Sequence, residues 1–210
     1  DHFYPIKGDT NGPCLEAWVT LTGIAQATKR IRVGCMVNGV HYRHPAVLAN
    51  MASALDIVSD GRFELGLGAG WNELESGAYG IELGSLKERF DRFDEALIVI
   101  TSLLAEETTS FSGKYYALDD ARNEPKGPQQ PLPICIGGTG EKRTLRSVAH
   151  HASHWNLPMF EDQLFKQKLD VLKAHCETAG TNIEDIKVST HVFIEEGTTA
   201  ASVISEILHQ

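Results

Sequence analysis

The sequence predicts a parallel α/β fold, and three observations lead there. Short apolar runs alternate with amphipathic helical patterns five times along the chain. Strands separated by helices pair in parallel through right-handed crossovers. The 210 residues, 42% hydrophobic and 22% charged, have the composition of an ordinary globular domain with room for a substantial core.

A lone helix is expected from about Cys14 to Thr28, followed by an alternating strand over Ile31–Val37, with Ile31, Val33, Cys35 and Val37 on one face. Pro45 opens the next helix, where a missing N–H costs nothing. Its stripe is Val47, Leu48, Met51, Leu55 and Val58, and Asp60-Gly61 stops it. Phe63, Leu65 and Leu67 form a second strand. Ser85 and Glu88 are spaced as a capping box for a helix carrying Leu86, Phe90, Phe93, Leu97, Ile100 and Leu104.

A polar excursion, Phe111 to Gln130, reads as a loop or hairpin inserted near 109–131 of a single domain spanning 1–210. The expected units after it are strand Pro133–Ile136 with a helix over Glu141–His151, and strand His154–Leu157 with a helix through Leu164 to Cys176. The last is strand Ile186–Ile194 with a helix from about Thr199 to Leu208. Periodicity does not choose between an open sheet and a closed barrel. A barrel needs about 250 residues, so a chain led by a lone helix and ending on one reads as cut at both ends. About three strands of a barrel are then unaccounted for, and closure within the chain is not expected.

A net charge of −9 opposes non-specific nucleic-acid binding, which needs a basic face. No apolar run reaches the roughly 20 residues of a membrane span. The four cysteines, Cys14, Cys35, Cys135 and Cys176, are widely spaced without a C-x-x-C pair. A reducing cytoplasm fits them better than a disulfide framework. Nine histidines make no ligand set: His150, His151 and His154 straddle a helix end and a strand start, and His175 and His209 read as surface residues. His41 and His44, in a post-strand loop beside Arg43, are better candidates, and no metal site is expected.

Ligands of parallel α/β folds gather where strands end. Gly137-Gly138-Thr139-Gly140 follows one strand and precedes a helix start with Lys142 and Arg143. Backbone N–H groups and the helix dipole there favour a phosphate, although Glu141 opposes one. Gly138→Asp is expected to weaken cofactor binding with the fold retained. The run Gly66-x-Gly68-x-Gly70 is weaker, because it lacks dinucleotide spacing, no clean helix follows, and its glycines can simply relieve crowding. Asp1-His2, taken alone, reads as a chain end.

An ordered set of segments nevertheless resembles the luciferase-like monooxygenase family, in its branch of F420-dependent oxidoreductases. They are Asp1-His2-Phe3-Tyr4-Pro5, Tyr42 to Ala49, Asp56 to Phe63, Gly66 to Trp71, Arg89-Phe90-Asp91 with Glu95-Ala96-Leu97, and Ile136 to Gly140. The resemblance implies a (β/α)8 TIM barrel of the bacterial luciferase-like type, present as an incomplete barrel lacking N-terminal and C-terminal units. It implies coenzyme F420, with FMN the alternative, and a small organic substrate exchanging hydride with it.

By the same resemblance, His2 is the acid/base or orienting group and Asp1 fixes its tautomer. A non-proline cis peptide is implied at Cys35-Met36, behind the cofactor ring, with Asn38 facing that ring. Gly68, Gly70 and Asn72 would hold the ring or its tail, and Gly137, Gly138, Thr139 and Gly140 the phosphate. One departure stands out: where some relatives have a catalytic glutamate directly after the glycine run, this chain has Trp71, with Glu73 two residues on. The rival readings are an FMN-dependent two-component monooxygenase and a non-catalytic flavin-binding relative. A homodimer is expected; a nucleic-acid or membrane partner is not.

Overall fold

The computed structural model describes residues 1–158, 162–191 and 199. The chain divides into two compact units, Asp1–Ile136 and Gly137–Gln210.

In the first unit the elements run α1 (Ala17–Ala27), β1 (Asn38–Gly39), α2 (Pro45–Val58), β2 (Leu65–Gly68), α3 (Glu73–Ala78), α4 (Leu86–Ala105), β3 (Thr109–Ser112), β4 (Ala117–Ala121) and β5 (Ile134–Gly137). Strand β2 is central. It pairs in parallel with β1, Asn38 opposite Leu67, and with β5, Leu65 opposite Ile134. Phe63, Leu65, Leu67 and Ile136 are wholly buried, each contributing on the order of 1.5–3 kcal/mol by leaving water. Helix α2 packs on α4 and α1, and β3 pairs with β4 in an antiparallel hairpin within the polar excursion.

Four expectations shift. The strand expected over Ile31–Val37 is not a regular one. Its backbone makes a single bridge at Val33, opposite Phe63, and regular pairing begins only at Asn38. The non-proline cis bond lies between Met36 and Val37, one residue beyond Cys35-Met36. The stripe of α2 is rotated: Leu48, Ala49, Ala52 and Leu55 are buried, while Val47 and Val58 are exposed. In α4, Leu86 is exposed and Leu103, not Leu104, takes the buried position beside Phe93, Leu97 and Ile100. The α4 capping box is present as expected, Ser85 and Glu88 bonding each other's backbone.

Two polar devices hold the end of this unit where β2 begins. The Asp56 carboxylate, fully buried in the last turn of α2, accepts from the Gln129 backbone N–H (3.0 Å) and side-chain Nε2 (2.6 Å). Arg62 donates to the carbonyls of Ile31 (2.7 Å), Ala25 (2.7 Å) and Thr28 (3.1 Å), tying the C-terminal end of α1 to the start of β2. The segment Asp56 to Phe63, which carried much of the family resemblance, is scaffold.

Glycines set how closely the chain packs beside β2. A Cβ on Gly66 would collide with the Cys35 carbonyl, and one on Gly68 would lie 2.8 Å from a Val37 methyl. These two glycines are therefore needed for packing.

Among its described residues, the second unit holds α5 (Thr144–His151), β6 (His154–Leu157), α6 (Asp162–Ala179) and β7 (Lys187–Thr190), with a 3-10 turn at Ile183–Asp185. Strands β6 and β7 pair in parallel, Trp155 opposite Val188, and α5 packs on α6. The helix expected over Glu141–His151 starts later, at Thr144, because residues 141–143 form turns. The end of strand Ile186–Ile194 and the helix expected from Thr199 to Leu208 lie outside the described residues, apart from Thr199. None of the four cysteines is in a disulfide. No helix of the described residues is long and apolar enough to cross a membrane.

Candidate active site

A short helix absent from the sequence expectations organises the site of the first unit. Asn72 caps α3, its Oδ1 accepting from the Glu75 N–H at 3.3 Å, and the Ser76 hydroxyl donates to the Asn72 carbonyl at 2.7 Å. Gly70, at φ +85, lets the chain turn into this helix. The result is to deliver Glu75, its side chain fully buried, to the end of the sheet where β1 and β2 finish.

Three donors converge on the Glu75 carboxylate. His2 Nδ1 lies 2.5 Å from Oε1, the Tyr42 hydroxyl donates to the same oxygen at 2.5 Å, and the Phe3 N–H donates to Oε2 at 2.8 Å. Burial alone would raise the carboxyl pKa, but the bonds from Tyr42, Phe3 and His2 outweigh it and the pKa is lowered. Burial, and then the bond to Glu75, push the Tyr42 phenol up, so Tyr42 stays a donor.

An ionised carboxylate only accepts hydrogen bonds, so Nδ1 of His2 carries the proton and Nε2 is left unprotonated in the neutral ring. No described residue bonds Nε2, and the His2 side chain is 22% exposed. Trp71 packs edge-on against the ring at 5.5 Å and is otherwise exposed.

Asp1 does not touch His2 through its side chain. Its carboxylate pairs with Arg43 (2.7 and 3.2 Å), and Arg43 also reaches Glu16 (2.7 Å) while lying over the Trp18 ring. Asp1 thus anchors the segment, and the carboxylate hydrogen-bonded to His2 is that of Glu75. Glu73, the carboxylate nearest in sequence to the position of the relatives' glutamate, is exposed.

His41 faces inward beside this cluster. The Ser76 hydroxyl is already donating to Asn72, so it accepts from His41 Nε2 at 3.2 Å. That leaves His41 Nδ1 buried without a partner. Burial, with Arg89 and His2 nearby, depresses the His41 pKa to about 4. A Cβ on Gly70 would strike the same ring. His44 is the N-cap of α2, accepting from the Ala46 N–H.

Asn38 is completely buried. Its Oδ1 accepts from Trp18 Nε1 (2.8 Å) and its Nδ2 donates to the Gly66 carbonyl (2.7 Å). These bonds tie β1 to Trp18 and to the backbone of β2. Cys35 is half-buried, which pushes its thiol pKa up, and Met36 is exposed. Gly68, Gly70 and Asn72 each have the packing or capping duty described above.

In the second unit, the Gly138 N–H donates to the Asn156 carbonyl (3.0 Å) and its own carbonyl accepts from Trp155 Nε1 (2.9 Å). Its φ is +124, a region that L side chains rarely adopt. Gly138→Asp would therefore strain the loop itself, and the expectation of a retained fold is withdrawn. Helix α5 opens without a side-chain cap hydrogen bond at Arg143, and its Leu145 N–H donates to the Gly140 carbonyl at 3.0 Å. Lys142 precedes that turn, exposed. Glu141 is bound by Lys168 (2.6 Å) and Gln167 (2.8 Å), which removes most of its opposition to an anion. His175, expected at the surface, is half-buried with Nε2 against the Glu141 carbonyl at 2.8 Å.

Comparison with known proteins agrees with this architecture. The family model for luciferase-like monooxygenases matches residues 1–210. The chain is 34% identical over 195 residues to an F420-dependent glucose-6-phosphate dehydrogenase of Amycolatopsis mediterranei, covering 89% of this chain and 56% of that protein. It is 35% identical over 141 residues to an F420-dependent hydroxymycolic acid dehydrogenase of Mycobacterium tuberculosis, covering 67% and 38%. The chain spans about half the length, or less, of these curated relatives. Among solved structures, an F420-dependent secondary alcohol dehydrogenase superposes with a TM-score of 0.82 at 24% identity, covering 90% of this chain and 57% of that one. At that identity the likeness speaks for the fold alone. By fold and by sequence, the chain belongs to the luciferase-like monooxygenase family.

Proposed function

We propose that this chain is the His2-bearing part of an F420-dependent oxidoreductase that exchanges hydride with a small organic substrate. The observation that carries the reading is His2 itself. One ring nitrogen is fixed to a buried carboxylate and the other is open at the end of a parallel sheet, in a chain 34% identical to an F420-dependent dehydrogenase. The bound deazaflavin would supply the hydride acceptor or donor.

The protein's own part is proton handling and positioning. A substrate alcohol whose carbon gives up hydride also gives up its hydroxyl proton as the C=O bond forms, and Nε2 of His2 takes that proton. Trp71 supplies an apolar wall beside the ring, and Asp1 with Arg43 holds the segment in place. For the second unit, we propose that the uncapped start of α5, with Lys142 beside it, takes a phosphate; the absence of a side-chain cap supports this. The alternatives are an FMN-dependent two-component monooxygenase, the chemistry that names the family, and a flavin-binding relative without turnover. A homodimer in a reducing cytoplasm is part of the same proposal, supported by exposed Leu15, Val19 and Ile24 around α1 and by the absence of disulfides.

Fluorescence titration of the protein with F420 and with FMN, followed by turnover with and without oxygen, tests the reading. Tight F420 binding and undiminished anaerobic turnover are expected. Strict oxygen dependence with tight FMN binding moves the assignment to the monooxygenase, and binding without turnover moves it to the third reading. Lys142→Glu should weaken cofactor affinity by about fivefold to tenfold; unchanged affinity removes the phosphate site.

A further inference from the structure

We propose that Glu75 is the positioning residue of His2: it fixes the histidine's tautomer, and Tyr42 and the Phe3 N–H hold Glu75 ionised for that purpose. The proposal rests on reading His2 as the proton-handling group. It assigns a role to a residue that the glycine-run comparison passes over, since Trp71 stands where the relatives' glutamate is found.

The argument is one of hydrogen-bond accounting. Oε2 of Glu75 is taken by a backbone N–H that has no freedom to turn away. Oε1 is shared by the Tyr42 hydroxyl and His2 Nδ1. As long as the side chain is a carboxylate, Nδ1 must be the protonated nitrogen and Nε2 the basic one. When Nε2 accepts a proton, the imidazolium faces a buried negative charge at 2.5 Å, which stabilises it. Asp1 cannot do this, because its carboxylate is committed to Arg43.

The same accounting dictates what an amide would do at this position. In Glu75→Gln the single oxygen must face the Phe3 N–H, since the reverse orientation sets an NH2 against a buried backbone donor. The NH2 then points at His2 and Tyr42. His2 Nδ1 becomes an acceptor and the ring proton moves to Nε2, where it blocks proton uptake. The isosteric change thus reverses the tautomer without removing volume.

Nitrogen-15 NMR of histidine-labelled protein without cofactor, at alkaline pH where imidazoles are neutral, tests this directly. The spectrum of a His2→Gln variant identifies the His2 signals among the nine histidines. In the wild type the unprotonated-nitrogen signal should belong to Nε2. In Glu75→Gln it should move to Nδ1, and in Tyr42→Phe it should stay on Nε2, because the carboxylate remains. In the loaded enzyme, Glu75→Gln should lower kcat at least tenfold with KM changed far less.

A wild-type proton on Nε2 overturns the proposal by itself, even if Glu75→Gln fails to fold. So does a folded Glu75→Gln that keeps the wild-type tautomer. Because the tautomer is read without cofactor, failure of the F420 assignment and failure of this proposal give different results.

Discussion

Two buried carboxylates sit at opposite ends of the same strand, and their differences separate scaffold from site. Asp56 lies before β2 and Glu75 after it; both are fully buried and both accept several hydrogen bonds. The donors of Asp56 all come from one residue, Gln129, which has no proton to exchange. Those of Glu75 come from three residues, one of which is an imidazole with its second nitrogen open. A buried charge braced by inert donors holds loops together. A buried charge braced against a titratable ring stores a response to protonation, which is the arrangement that proton transfer uses.

The largest expected effect falls on the inert end. Asp56→Ala takes the acceptor from two half-buried Gln129 donors, of which Nε2 keeps its bond to the Phe63 carbonyl, and should lower unfolding free energy by about 3 kcal/mol, read from the urea midpoint. If Glu75→Gln costs as much stability as Asp56→Ala, the contrast between the two ends fails.

The next effect is a pH dependence at the other end. The folded state holds the His41 pKa near 4, against an ordinary value of 6.5. Between those values the unfolded chain binds a proton that the folded one refuses. Stability should therefore fall as pH drops from 6.5 toward 4, by about 1–2 kcal/mol after allowing for solvent screening. His41→Gln should flatten that part of a pH–stability curve; an unchanged slope assigns it elsewhere. Glu75, with its pKa lowered, works in a more acidic window. Its contribution is whole above the ordinary carboxylate value and lost as pH falls through the lowered one. A Glu75→Gln curve should thus differ from the wild type at the acid end. Smallest of all, Trp71→Ala should change stability by less than about 0.5 kcal/mol, because the ring is mostly exposed. A larger loss in thermal denaturation would make Trp71 part of the scaffold.

Local signals explain which parts of this were legible in the sequence. The Ser85–Glu88 box and the four-and-three spacing after it specify α4 within one chain segment, and the structure has both. The strand His154–Leu157 was equally plain. Helix α3 was not, since its six residues are too short to show a period. One signal was available: Asn72 and Glu75 have the spacing of a helix N-cap and its third residue. Glu75's role could not be read this way, because it depends on His2, 73 residues distant in sequence. The side-chain partners of Asn38 and Asp1 are illegible for the same reason. Those partners, Trp18 and Arg43, are tertiary neighbours that no spacing announces.

The glycines of β2 have one more effect, on how the chain finds its pairing. Side chains along a strand alternate, so slipping β2 by one residue against the 35–37 segment would aim Leu65 or Leu67 at the Cys35 carbonyl, where no Cβ fits. Slipping it by two in one direction would bring Glu64 to the place of Gly66. The paired glycines act as the notch of a key: both one-residue slips, and the two-residue slip that brings in Glu64, are blocked. The neighbours of β2 inherit that alignment through Asn38–Leu67 and Leu65–Ile134. Two residues with no side chains thereby set where Gly70 turns and where Glu75 meets His2.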